Sequence, residues 1–265
     1  MLKNFIRSAI HLTGFDIRRR PKEGPPVVEE PTSYGIPDEE FYEPVFSPWK
    51  GYGDFANYYA LAKPSSLVSP DRCYILLTLA KQASRISGSW MECGVYRGGT
   101  AAMLSKLVQD LDLDCTLHLF DTFEGMPETN PELDLHQAGD FEGTSLEDVK
   151  NRIVSALGKN DERVQFHQGF IPDTFKDLSV DRIAFAHVDV DIYKSVLDSC
   201  EFIYPRLATG GFLIFDDYGF PTCPGARKAV DQFFHEKQEF PLVLPTGQAL
   251  VIKAREKDPR QPGPW

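Results

Sequence analysis

The chain is poor in the features that mark several large classes of protein. Its five cysteines, Cys73, Cys93, Cys115, Cys200 and Cys223, are an odd number and form no CxxC pair. They give no basis for a disulfide framework or a zinc ribbon, and a reducing cytoplasm is the expected compartment. No apolar run approaches the ~18 residues that a membrane span requires. The start has no signal-peptide core with a cleavage site. Basic residues are in deficit, 28 Lys+Arg against 39 Asp+Glu, for a formal charge of −11. That balance argues against nucleic-acid binding through phosphate neutralisation. No internal repeat is visible. What remains is an ordinary globular composition, 42% hydrophobic and 25% charged over 265 residues. It is enough for one core-forming domain with an extension.

Three stretches differ in character. Residues 1–20 carry Lys3, Arg7, Arg18, Arg19 and Arg20 against the single acid Asp16, interleaved with Phe5, Ile6, Ile10 and Leu12. They read as a basic helix, lying on an anionic membrane surface or docked on the body or a second subunit; the shortness of the segment favours docking. Residues 21–50 are rich in proline and glutamate but also hold Tyr34, Phe41, Tyr42, Phe46 and Trp49. Proline blocks helices and the aromatics argue against pure disorder, so an arm or lid is expected. The organisation is therefore 1–64 basic helix and arm, 65–255 the main domain, and 256–265 a disordered tail ending in PRQPGPW.

In the main domain, apolar runs at 90–95, 116–120, 164–167, 183–188, 212–215 and 249–252 alternate with helical stripes. One stripe is Met103, Leu104, Leu107, Val108 and Leu111, and another is Leu146, Val149, Ile153 and Leu157. A third runs from Val196 to Leu207 and a fourth from Ala226 to Phe234. This alternation predicts an α/β fold, a mostly parallel sheet with helices on both faces. Ligands in such sheets bind beyond the carboxyl ends of the strands.

The first strand ends in Glu92-Cys93-Gly94-Val95-Tyr96-Arg97-Gly98-Gly99-Thr100. The glycines allow close backbone approach to a ligand, though a tight strand–helix turn would use them too. The spacing is neither GxGxxG nor a P-loop. Glu92 would be unwelcome beside a pyrophosphate and suits a ligand carrying an ammonium group. The second strand ends in Asp121, about 20 to 30 residues past the loop, where an acid can take ribose hydroxyls or cap a helix. The third ends in Gln168, whose amide, with Phe170, could hold an adenine. The fourth and fifth end in Asp189-Val190-Asp191 and Asp216-Asp217. Acids packed on two successive strand ends repel unless a cation joins them, and a hard divalent ion such as Mg²⁺ is the economical one. Helix capping by each Asp is the plainer alternative. His187 and His118 read as core or supporting residues. His136, His167 and His235 carry no pattern.

Taken together, ECGVYRGGT, HLFDTFEGMP, GTSLEDVK and AHVDVDIYKSVLDSCEFIYPRLATGGFLIFDDYGF resemble the macrocin O-methyltransferase family over residues 65–253. The resemblance implies a class I, Rossmann-like methyltransferase fold, with a seven-stranded sheet whose last strand is antiparallel. It implies an enzyme that uses S-adenosylmethionine and Mg²⁺ to methylate sugar hydroxyls of glycosylated small molecules, working as a homodimer with its N-terminal segment over the site. By motif, Glu92, Gly94, Val95, Tyr96 and Gly98 would hold the methionine part of the cofactor. Asp121 would take the ribose, with Thr122 and Phe123 beside the adenosine and Ser145, Gln168 and Asp189 as further cofactor contacts. Asp189, Asp216 and Asp217 match metal ligands, and Asp191 matches the general base. The final strand, GQALVIKARE, lacks the aromatics common there in the family. Two other readings remain: a metal-dependent glycosyltransferase using the DVD triplet, and a related metal-dependent hydroxylase.

Overall fold

The computed structural model describes residues 46–255. The basic helix at 1–20, most of the 21–50 arm and the 256–265 tail lie outside the described residues. Helix α1 (Phe55–Ala62) and helix α2 (Pro70–Ala83) precede the first strand. Then follow β1 (Ser89–Cys93), α3 (Gly99–Asp110), β2 (Leu117–Asp121), α4 (Leu146–Leu157), β3 (Val164–Gln168) and β4 (Ile183–Val188). The chain closes with α5 (Tyr193–Ile203), β5 (Leu207–Phe215), α6 (Pro224–Phe234), β6 (Leu242–Val243) and β7 (Ala249–Ile252).

The seven strands form one sheet in the order β3-β2-β1-β4-β5-β7-β6. All pairings are parallel except those of β7, which runs antiparallel to both β5 and β6. The expected architecture is thus present, with the six apolar runs as strands and a two-residue β6 added at the edge. Alternate residues of each strand point to opposite faces. Trp90, Leu117, Leu119 and Phe185 join α1–α4 in one core, while Met91, Phe120, Ala186 and Val188 join α5 and α6 in the other. Strand β4 is buried along its whole length, as an inner strand covered on both faces must be. Helix α1 falls within the stretch expected to be arm, yet its Phe55, Tyr58 and Ala62 are buried in the first core.

Two element ends differ from the periodic reading. The third stripe continues to Leu207, but α5 stops at Ile203 and Leu207 already belongs to β5. Pro205 lacks the N–H that another helical turn requires, so the chain passes through a short 3₁₀ turn instead. The first strand stops at Cys93 rather than running on to Val95, because Gly94 turns to φ +87°. A side chain there would meet the carbonyl oxygen of Asp189 at 1.7 Å, so only glycine lets the ends of β1 and β4 lie this close.

The strand order reverses between β1 and β4, and Asp189 N–H donates to Cys93 C=O at 2.8 Å across that junction. This is the switch point at which an open α/β sheet opens a crevice.

Candidate active site

A cavity of about 270 Å³ sits at that crevice, beyond the carboxyl edge of the strands. Gly94, Val95, Tyr96, Asp121 and Thr122 line one side, and Asp189, Asp191 and Asp217 another. Phe120, Met126, Phe141, Phe170 and Ile171 supply apolar surface between them.

Asp121 ties β2 to the glycine loop. Its Oδ2 accepts from Val95 N–H at 2.7 Å and Tyr96 N–H at 2.8 Å, and its Oδ1 accepts from Phe123 N–H at 2.7 Å. Thr122 Oγ1 lies a further 3.4 Å from Oδ1. Tyr96 and Phe123 both take left-handed backbone, at φ 51° and 56°, in the turns these bonds close.

The four acids of β4 and β5 divide into two environments. Asp216 is fully buried and does not line the cavity. Its Oδ2 pairs with the guanidinium of Arg72 from α2, and its Oδ1 accepts from Gln248 Nε2 at 2.9 Å. Behind it, His187 Nε2 lies 3.5 Å from Asp216 Oδ1, a charge contact too poorly aimed to be a hydrogen bond. His187 Nδ1 lies 3.0 Å from Glu92 Oε1. Burial opposes charge on this imidazole, but Asp216 and Glu92 outweigh it and raise its pKa to about 10. Glu92, His187, Asp216 and Arg72 therefore form a buried row of alternating sign. Glu92 Oε1 faces His187, while its Oε2 is buried with no hydrogen-bond partner among the described residues.

Asp189 and Asp217 have no such partner. Among the described residues no side chain donates to the carboxyl of Asp189, and Asp217 Oδ2 accepts only the N–H of Asp191, at 3.0 Å. Burial, then the charge of Asp216, raises the Asp189 pKa well above the usual carboxylate range. Burial, then Asp191 and Asp189, does the same to Asp217. Two unbalanced oxygen-only donors facing a cavity fit a hard divalent cation. Asp191 sits at φ 58°, a conformation that non-glycine residues rarely adopt. It carries its carboxylate toward Cys223, whose Sγ is 3.4 Å from Oδ1, and toward His136, whose Nε2 is 3.8 Å from it. Burial raises the Asp191 pKa and the charge of His136 partly offsets the rise.

Other residues of the sequence reading stand away from the cavity. Ser145 caps α4, accepting from Asp148 N–H at 3.1 Å. Phe123 is buried, Gly98 packs on Val149, and Gln168 Nε2 reaches Thr122 C=O at 3.4 Å. Arg72, Gln248, His136 and Cys223 are site residues that sequence pattern did not single out. Arg72 precedes the strand–helix alternation, Gln248 follows the β6–β7 turn, and His136 lies in the long β2–α4 connection.

A family model described as Macrocin-O-methyltransferase (TylF) matches residues 76–242. Mycinamicin III 3''-O-methyltransferase of Micromonospora griseorubida is 34% identical over 158 residues, 56% of this chain and 61% of that protein. Demethyldecarbamoylnovobiocin O-methyltransferase of Streptomyces niveus is 29% identical over 158 residues, 57% of this chain and 59% of that protein. The matched stretch spans about three fifths of the length of these relatives. Among solved structures, the O-methyltransferase NovP superposes with a TM-score of 0.65 at 24% identity, covering 72% of this chain and 82% of its own. The calicheamicin methyltransferase CalS11 gives 0.58 at 20%, covering 78% and 93%. The fold is that of the Rossmann-like methyltransferases. The chain belongs to the macrocin O-methyltransferase family.

Proposed function

We propose that this protein moves a methyl group from S-adenosylmethionine to a hydroxyl on the sugar of a glycosylated small molecule, with Mg²⁺ at the acceptor. The observation that carries the reading is the meeting of the β1 glycine loop, Asp121 and the carboxylates of Asp189, Asp191 and Asp217 around one cavity. Relatives named for methylating mycinamicin III and demethyldecarbamoylnovobiocin support the acceptor class. A homodimer in the cytoplasm is part of the same proposal.

In this reading the glycine loop and Asp121 orient the nucleoside, and the aromatic and apolar wall excludes water from its sulfonium. The cofactor supplies a methyl carbon that leaves with no electrons of its own, the C–S pair staying on sulfur as a neutral thioether. Asp189 and Asp217 would hold the metal, which when bound would supply Lewis acidity toward an acceptor hydroxyl. Asp216 is the third acid of the set, but Arg72 and Gln248 occupy its oxygens, so it joins only where Arg72 lets go. Asp191 takes the hydroxyl proton as the new C–O bond forms. Burial raises its pKa, which is the direction a base requires.

The test is transfer of labelled methyl from S-adenosylmethionine to a panel of deoxysugar glycosides, with and without Mg²⁺. Cation-dependent labelling of a sugar oxygen is expected. Transfer undiminished by a chelator would remove the metal from the proposal, and no transfer to any glycoside would remove the acceptor class.

A further inference from the structure

Beside the oxygen-only acids the same cavity wall carries a second donor set of different chemistry. His136 Nε2, Asp191 Oδ1 and Cys223 Sγ come from the β2–α4 connection, the β4–α5 turn and the start of α6. They lie 3.4 Å (sulfur to oxygen), 3.7 Å (sulfur to nitrogen) and 3.8 Å (nitrogen to oxygen) apart. Bonds of about 2.0–2.1 Å to nitrogen and oxygen and about 2.3 Å to sulfur put the corners of a tetrahedral zinc site about 3.3 to 3.6 Å apart. The set is within a few tenths of an ångström of that spacing without a cation present.

The histidine is held as a metal-binding histidine is held. Its Nδ1 lies 3.0 Å from Asp140 Oδ2, and a carboxylate can only accept, so Nδ1 carries a hydrogen, and in the neutral imidazole the Nε2 lone pair is left for a cation on the side of Cys223 and Asp191. Asp140 is itself fixed by Gln137 N–H at 3.1 Å. The connection is pinned near by, where the buried Asp134 accepts Tyr193 N–H at 2.8 Å. All three donors line the cavity, which leaves a fourth position for water or ligand.

We propose that His136, Asp191 and Cys223 form a binding site for a thiophilic divalent cation, with Zn²⁺ as the type, separate from the carboxylate set of Asp189 and Asp217. Sulfur and imidazole select such a cation, whereas carboxylates alone select Mg²⁺. On binding, the metal–sulfur bond forms as the thiol gives its proton to solvent; nothing is oxidised or reduced. A cation there takes Asp191 out of proton transfer, so the site is inhibitory, a consequence that alone rests on the methyltransferase reading.

The test is a titration of the full chain with Co²⁺, read by the sulfur-to-cobalt charge-transfer band in the near ultraviolet, which needs neither methyl donor nor acceptor. One equivalent should develop the band, Zn²⁺ should abolish it, and a hundredfold excess of Mg²⁺ should not. Cys223→Ser should lack the band, His136→Ala should weaken cobalt binding at least tenfold, and Asp217→Asn should keep the band. In the unsubstituted chain, Zn²⁺ should protect Cys223 from alkylation as followed by mass spectrometry. No band at stoichiometric cobalt, a band that persists in Cys223→Ser, or alkylation of Cys223 unaffected by Zn²⁺ would overturn the proposal.

Discussion

Arg72, on a helix that precedes the sheet, pairs its guanidinium with the fully buried carboxylate of Asp216, 144 positions further along the chain. The same guanidinium donates to Leu67 C=O at 2.9 Å and stacks 4.6 Å from the centre of the Phe220 ring. Helix α2 thereby supplies a positive charge to a sheet edge otherwise crowded with acids. Removing one partner of a buried pair costs about 3–5 kcal/mol where the other charge is left uncompensated, and the low end applies here because His187 stays 3.5 Å from Asp216. Arg72→Met should therefore lower stability by about that amount without Mg²⁺. It should also enlarge the rise in melting temperature that Mg²⁺ produces, since the ion then takes over the charge balance of Asp216. A Mg²⁺ shift no larger than in the unsubstituted chain would show that arginine and metal do not compete for that acid.

Gly94 is the second point of fixed chemistry. Its left-handed φ and the 1.7 Å approach to Asp189 C=O leave no room for a side chain. Gly94→Ala should push β1 and β4 apart at the switch point, costing more than about 4 kcal/mol in denaturant unfolding. It should also abolish binding of S-adenosylmethionine. Unfolding with an unchanged midpoint would contradict the packing described.

Acid sensitivity should arise away from the cavity. His118, buried on β2, lies 3.0 Å from His167 on β3, nitrogen to nitrogen. Burial, then the neighbouring imidazole, lowers the His118 pKa from 6.5 to about 4. The unfolded chain binds this proton more readily than the folded one. The contribution is therefore complete above about pH 6.5 and is lost as pH falls toward 4, roughly 3 kcal/mol in all. Urea unfolding of His118→Gln should show a shallower fall in stability across that window, and an unchanged slope would assign the acid sensitivity to other groups.

The parts of the site on strand ends were legible because strand, turn and acid follow one another in the chain. Gly94, Asp121, Asp189, Asp191 and Asp217 all lie within a few residues of an apolar run and all reach the cavity. Asp216 was legible as an acid but not as the partner of Arg72, because nothing local marks a pairing across that separation. His136 comes from the connection between Asp121 and Ser145, where no periodicity exists to place a side chain. Ser145 lies inside a family-like motif, and its hydroxyl caps α4, donating to Asp148 Oδ2 and accepting from Asp148 N–H. Helix α2 has plain helical spacing in Cys73, Leu76, Leu77 and Ala80. Only its place before the first strand set it outside the alternation of strands and helices. Strand β6, at two residues, is too short to carry a pattern at all.

Asp191 is where chemistry and binding should separate. Asp191→Asn keeps the shape of the cavity but cannot take a proton. Methyl transfer to any acceptor used by the unsubstituted chain should fall by about 10²–10⁴-fold. Turnover at the original rate would remove Asp191 from the role of base.

The most direct measurement is a calorimetric titration of the full chain with S-adenosylmethionine, and separately with a nucleotide-diphosphate sugar, both in the presence of Mg²⁺. Saturable binding of S-adenosylmethionine at one site per chain is predicted, retained in Asp191→Asn and lost in Gly94→Ala, with no heat from the nucleotide sugar. Binding of the nucleotide sugar with none of S-adenosylmethionine would contradict the account at its root.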